Sequence, residues 1–155
     1  SQTMPEMFKD WDAKDTGLLV AALLATIADT ETTKGLVKRG GIETNPLYPK
    51  RPSNSTLNAI AILGGGLKTV VAGMLEPNAR KSLLGAITGF EANLAHQNYK
   101  GTGTPNFAKN LQRPLIGALI GAALASYLGP NAPTLSLATD PSNKPSLALG
   151  IRRNF

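Results

Sequence analysis

Cysteine is absent from the chain. That excludes disulfides, thiolate metal sites, thiol nucleophiles and iron–sulfur clusters together. A single histidine, His96, excludes multi-histidine metal centres. Aromatic residues are 5% of the sequence, so a core must be built from Leu, Ile, Val and Ala. Charged residues are 17%, below the usual share of about a quarter, which excludes a strongly charged disordered chain. No G-x-S-x-G elbow is present for Ser-His-Asp chemistry. Gly64-Gly65-Gly66 ahead of Lys68-Thr69 misses the spacing of a phosphate loop, because Gly66 is not followed directly by Lys. A close helix crossing or a kink is the simpler use for those glycines. No catalytic set and no cofactor signature remain, so the chain reads as a non-enzyme with no cofactor or resident metal.

What is present, over 155 residues, is Leu and Ala in four apolar segments, at 17–28, 57–75, 82–95 and 114–129. Both residues favour helix over strand. Thr16 or Asp15 can cap the first segment, Ser55 the second and Asn78 the third, and Pro77 leaves only a short connection between the second and third. Pro114 suits the first turn of the fourth, and Gly129-Pro130 ends it. The expected fold is all-α: three to four helices in helical hairpins, at 16–38, 55–75, 79–98 and 111–128, with no sheet. An acidic segment over 1–15 precedes this domain of 16–129. It reverses the basic start of a secretory signal. A Pro-rich arm over 130–155 follows in extended form.

The uncharged runs are borderline for a bilayer, which asks for roughly 20 apolar residues. Lys and Arg divide nearly evenly between the two ends of a four-span arrangement, so the charge rule assigns no orientation. Polar residues inside the apolar segments need partners, since an isolated charge is costly in lipid or in a protein core. The expected clamp is Asp29, Thr33, Glu43, Lys68, Glu91 and His96, with Lys68 held by Asp29 or Glu91. A metal site from Asp29, Glu43 and His96 has no motif behind it.

Gly117, Gly121, Ala125 and Gly129 recur every four residues, and Gly85 and Gly89 repeat the theme in the third segment. Such small-residue stripes let helix backbones approach closely. They serve either association between chains or packing of the third segment on the fourth. In the arm, Leu135 and Leu137, then Leu147, Leu149 and Ile151, alternate at period two, so one side of an extended segment can be buried. Arg152, Arg153 and Phe155 follow, and the arginines can meet an acidic surface such as residues 6–15 of a neighbouring copy.

The order Asp29-x-x-x-Thr33, Glu43-Thr44-Asn45-Pro46-Leu47, Pro52-Ser53, Glu91 and His96-Gln97-Asn98 resembles a set of small uncharacterised bacterial and phage membrane proteins. Those carry a D-x-x-x-T helix, an E-x-N-P loop and His and Asn at the end of the third helix. The likeness covers about 16–99, and Gln97 departs from an adjacent His-Asn pair. The resemblance implies a helical, membrane-associated fold and no substrate.

The net charge of +6 is uneven, with a basic second half that suits an anionic lipid surface, an acidic protein or nonspecific contact with nucleic acid. The expected partners are a homo-oligomer or larger protein complex and a lipid membrane. The expected function is structural: a phage virion protein, tail-associated or acting in DNA ejection, that enters the host membrane. The alternatives are a resident multi-pass bacterial protein serving as accessory subunit, or a holin-like pore former.

Overall fold

The computed structural model describes residues 4–128, 133–139 and 145–151, with residues 4–5 and the last two stretches described by backbone alone. The element order is α1 (Met4–Met7), α2 (Ala13–Lys38), α3 (Asn54–Met74), α4 (Pro77–Lys100), α5 (Phe107–Asn110), α6 (Gln112–Ser126), β1 (Pro133–Thr139) and β2 (Pro145–Ile151). The four long helices fall on the four apolar segments.

Their ends follow local chemistry. α2 begins earlier than expected because Asp12, rather than Asp15 or Thr16, is the cap. The Asp12 carboxylate accepts from the Asp15 N–H at 2.8 Å, and the Asp15 carboxylate accepts from the Asp12 N–H at 3.0 Å, a reciprocal capping box. Ser53 rather than Ser55 caps α3, accepting from the Thr56 N–H. Pro77 opens α4 as its first residue, so Asn78 lies inside the helix. Gly101, at φ 63°, ends α4 in the left-handed region.

α2 and α4 run parallel: Asp15 meets Lys81, Thr26 meets Glu91 and Thr33 meets Asn98 along their lengths. α3 runs back alongside them, and α6 packs antiparallel on α4. α4 is thus the central helix, lined on two sides by α2 and α6. The α4–α6 seam is backbone against backbone. A Cβ on Gly85 would collide with the Gly121 carbonyl and the Ala125 methyl, and one on Gly89 would collide with the Gly117 carbonyl. The small-residue stripe therefore packs helices of one chain. Gly129 lies outside the described residues.

The expectation of no sheet holds in the helical domain and fails in the arm. β1 and β2 pair antiparallel, with Leu135 opposite Leu149 and Leu137 opposite Leu147. Two extended segments satisfy each other's backbone groups this way. Leu147, Leu149 and Ile151 belong to β2, but their docking, and all of Arg152, Arg153 and Phe155, lie outside what is described.

The apolar core is thin: Ala22, Ala72 and Leu84 at its centre, with Trp11, Leu18, Leu19 and Ile87 around them. Larger side chains face outward. Val20, Leu24 and Ile27 on α2, Ile62, Leu63, Leu67 and Met74 on α3, and Leu115, Ile116, Leu119, Ile120 and Leu124 on α6 are exposed, Ile62 by 74% and Leu119 by 73%. They give α2, α3 and α6, three of the four long helices, an outer apolar belt. Among the described residues, α3 is the one helix long and apolar enough to cross a membrane.

Candidate functional site

Two polar clusters sit at different heights along the α2–α4 pair. The first lies where α2 begins and α3 turns into α4. Arg80 and Lys81 stand in the opening turns of α4 and are 1% and 2% exposed. Cations there oppose the helix dipole, so both need acids. The Arg80 guanidinium donates to Asp15 at 3.3 Å, to Asp10 at 3.0 Å, and to the Ala72 and Leu75 carbonyls at 3.0 and 2.7 Å. It therefore also closes the C-terminal end of α3, and it lies 5.0 Å from the centroid of the Trp11 ring. Lys81 donates to Asp15 at 2.9 Å and pairs with Asp12 at 3.2 Å. Asp15 is completely buried. Burial works against the Asp12 charge, but the Asp15 N–H and the Lys81 ammonium outweigh it and hold its carboxyl below 3.8.

Most of the acidic segment's carboxylates therefore have partners within the chain, while Arg152 and Arg153 lie outside the described residues. Asp10, Asp12 and Asp15 are engaged by Arg80 and Lys81 of their own chain. The sequence carried the clue: two basic residues just after Pro77, at a helix start, and a short acid-rich stretch to match them.

The second cluster begins at mid-helix. Lys68 of α3 pairs with Glu91 of α4. Its ammonium also donates to the Thr26 hydroxyl at 2.8 Å, and that hydroxyl donates to the other Glu91 oxygen. Two turns of α4 beyond Glu91, the Asn98 amide donates to Asp29 and to Thr33, each at 3.0 Å. The Thr33 hydroxyl meanwhile bonds the Asp29 backbone carbonyl. Of the two acids expected for Lys68, Glu91 makes the pair and Asp29 is held by Asn98 instead.

Glu43 lies in the α2–α3 loop, where its carboxylate accepts from the Asn45 N–H at 2.9 Å and the Asn45 side chain accepts from the Leu47 N–H at 3.0 Å. These two local bonds around Pro46 explain the E-x-N-P spacing as a self-capped turn. His96 is exposed on α4 and takes no part, because position 96 faces away from Glu91 and Asn98. Sequence reading missed Thr26 and Tyr48. Thr26 lies on the same face as Asp29 and Thr33 at helical spacing, which was the available signal.

Above Lys68 the helices enclose a cavity of about 520 Å³. Asp29, Glu43, Lys68 and Glu91 line it together with Tyr48, Asn45 and Gln97, and Leu57, Ile60, Phe90, Leu94 and Phe107 supply apolar walls. Asn110 ties its two covering loops: its side chain accepts from the Thr104 N–H at 2.7 Å and donates to the Thr44 hydroxyl at 3.1 Å. The Tyr48 phenol is pushed above its ordinary value, first by burial and then by the charges of Asp29, Glu43 and Glu91. All three carboxylates thus act on one space.

No protein-family model, curated protein or solved structure matches the chain.

Proposed function

We propose that the chain is a four-helix membrane protein with a structural, non-catalytic role in assembly, and that a phage virion protein entering the host membrane is its setting. The apolar belt carries the membrane part of this reading. Each exposed Leu or Ile left in water forgoes about 1.5–3 kcal/mol of burial, whereas in lipid that face sits in its preferred solvent. The bundle buries Asp15, Arg80 and Lys81 while large apolar side chains of α2, α3 and α6 stay exposed, a division that suits lipid around those helices. α3, with 21 residues, is about 31 Å long, near the hydrocarbon thickness of roughly 30 Å.

Exposed cations of the helical domain gather at one of its ends. Lys38, Arg39, Lys50, Arg51, Lys100, Lys109 and Arg113 are exposed at the end that carries the cavity loops. At the other end Lys9 and Lys14 are exposed, while Arg80 and Lys81 are buried. The assembly role rests on the basic second half and the alternating leucines of the arm. A resident accessory subunit is the alternative reading.

Flotation on liposomes and resistance to alkaline extraction test the membrane claim, and recovery in the soluble fraction contradicts it. Mass spectrometry of purified particles tests the virion claim. Presence there supports it, and presence only in uninfected-cell membranes favours the resident subunit.

A further inference from the structure

The cavity between α2, α3 and α4 is lined by more carboxyl groups than its own cation pairs with. Its single basic lining residue, Lys68, is committed to Glu91 and Thr26. Asp29 accepts one hydrogen bond from Asn98, and Glu43 accepts one from the Asn45 backbone. Among the described residues neither has an ion pair. Two carboxylates facing apolar walls are costly without a counter-charge. The volume of about 520 Å³ lies in the range of small-molecule sites. Phe90 and Phe107 are on the lining, and aromatic rings attract cations through their faces. Tyr48 and Asn45 add hydrogen-bonding groups on the same lining. Among the described residues no three His, Cys, Asp or Glu side chains are grouped to hold a metal ion. The chemistry therefore fits an organic cation better than a bare metal.

We infer that this cavity binds a small organic ammonium with an apolar body, its charged head between Asp29 and Glu43 and its body against Ile60, Leu94 and the two phenylalanines. The inference rests on the cavity and not on the membrane reading. Two sources supply this chemistry: a free amine, or the headgroup of an aminophospholipid.

The test is thermal unfolding of the full chain in detergent with phenethylammonium as the probe and neutral 2-phenylethanol as the control. The ammonium raises the midpoint and the alcohol does not. Asp29→Asn and Glu43→Gln each weaken ammonium binding by about tenfold or more, as expected for removal of one charge-assisted contact. His96→Gln, on the exposed face, leaves it unchanged. If Asp29→Asn does not fold, Glu43→Gln alone decides, because that side chain sits on a loop. Equal stabilisation by the alcohol, or full ammonium affinity in Glu43→Gln, overturns the inference. Nanodiscs separate the sources. Competition by phosphatidylethanolamine but not phosphatidylcholine assigns the site to lipid, and equal binding in both assigns it to a free amine. Failure here together with successful flotation strikes this inference alone.

Discussion

The two polar clusters use the same residue types to different ends. Around Asp15, three carboxylates face two cations, each of the three is ion-paired, Arg80 reaches backbone carbonyls as well, and Asp15, Arg80 and Lys81 are closed to solvent. Around Asp29 there are three carboxylates for one lysine, and an open cavity instead of packing. The first is a knot that fixes where α2, α3 and α4 start and stop. The second leaves charge and volume in reserve. A charge within an apolar helix is thus no guide by itself to a site; what matters is whether its partners leave anything over.

The largest effect is expected in the knot. Asp15→Ala removes the buried partner shared by Arg80 and Lys81 and leaves them only the half-exposed Asp10 and Asp12, and breaking a buried pair costs about 3–5 kcal/mol. Denaturant unfolding of the detergent-solubilised chain checks it, and a loss below 1 kcal/mol would remove the distinction between the clusters. The α4–α6 seam comes next. Gly89→Val forces backbones apart at Gly117, and overpacking of this kind costs about 1–3 kcal/mol. A variant as stable as the parent would contradict the close approach.

Lys68→Met should cost less than the Asp15 change. Lys68 and Glu91 keep 21% and 14% of their side chains exposed, so solvent screens part of the loss. A charged hydrogen bond lost at such a site is worth about 1–2 kcal/mol. Parity with Asp15→Ala would show that the cavity end is as closed as the knot.

The four helices were legible in the sequence because Leu and Ala runs and Pro77 act locally, whereas the caps of α2, α3 and α4 fell a few residues earlier than expected. The glycine stripe was legible as a close-packing face, but spacing alone does not say whether the partner helix is in the same chain. The knot was not read, because it joins residues 65 or more positions apart, and local periodicity carries no such information. His96 was overvalued: sequence proximity to Asn98 placed it in the clamp, while the helical turn points it outward. The strand pairing in the arm was missed although the period-two leucines were noticed, since extended backbone must find a hydrogen-bonding partner somewhere.

Smaller effects follow from titration. Because the folded state holds Asp12 below 3.8, its contribution is present above that pH and is lost as pH falls through the lowered folded value. An acid unfolding profile of Asp12→Asn should be flatter than the parent's in that window. Tyr48 behaves oppositely. Its raised phenol favours the neutral form, so its contribution is lost as pH rises past 10.0. In an ultraviolet alkaline titration one of the three tyrosines should ionise late, and Tyr48→Phe should remove that late phase.

The absence of cysteine allows a direct test of the account. Single cysteines at Ile62, Leu119 and Leu47 carry nitroxide labels on the reconstituted protein, and collisions with oxygen and with a water-soluble nickel chelate are measured. Ile62 and Leu119, on the belt, should favour oxygen, as lipid-facing sites do, and Leu47, in the cavity loop, should favour the chelate. Chelate access at Ile62 and Leu119 equal to that at Leu47 would place the belt in water and contradict the membrane reading.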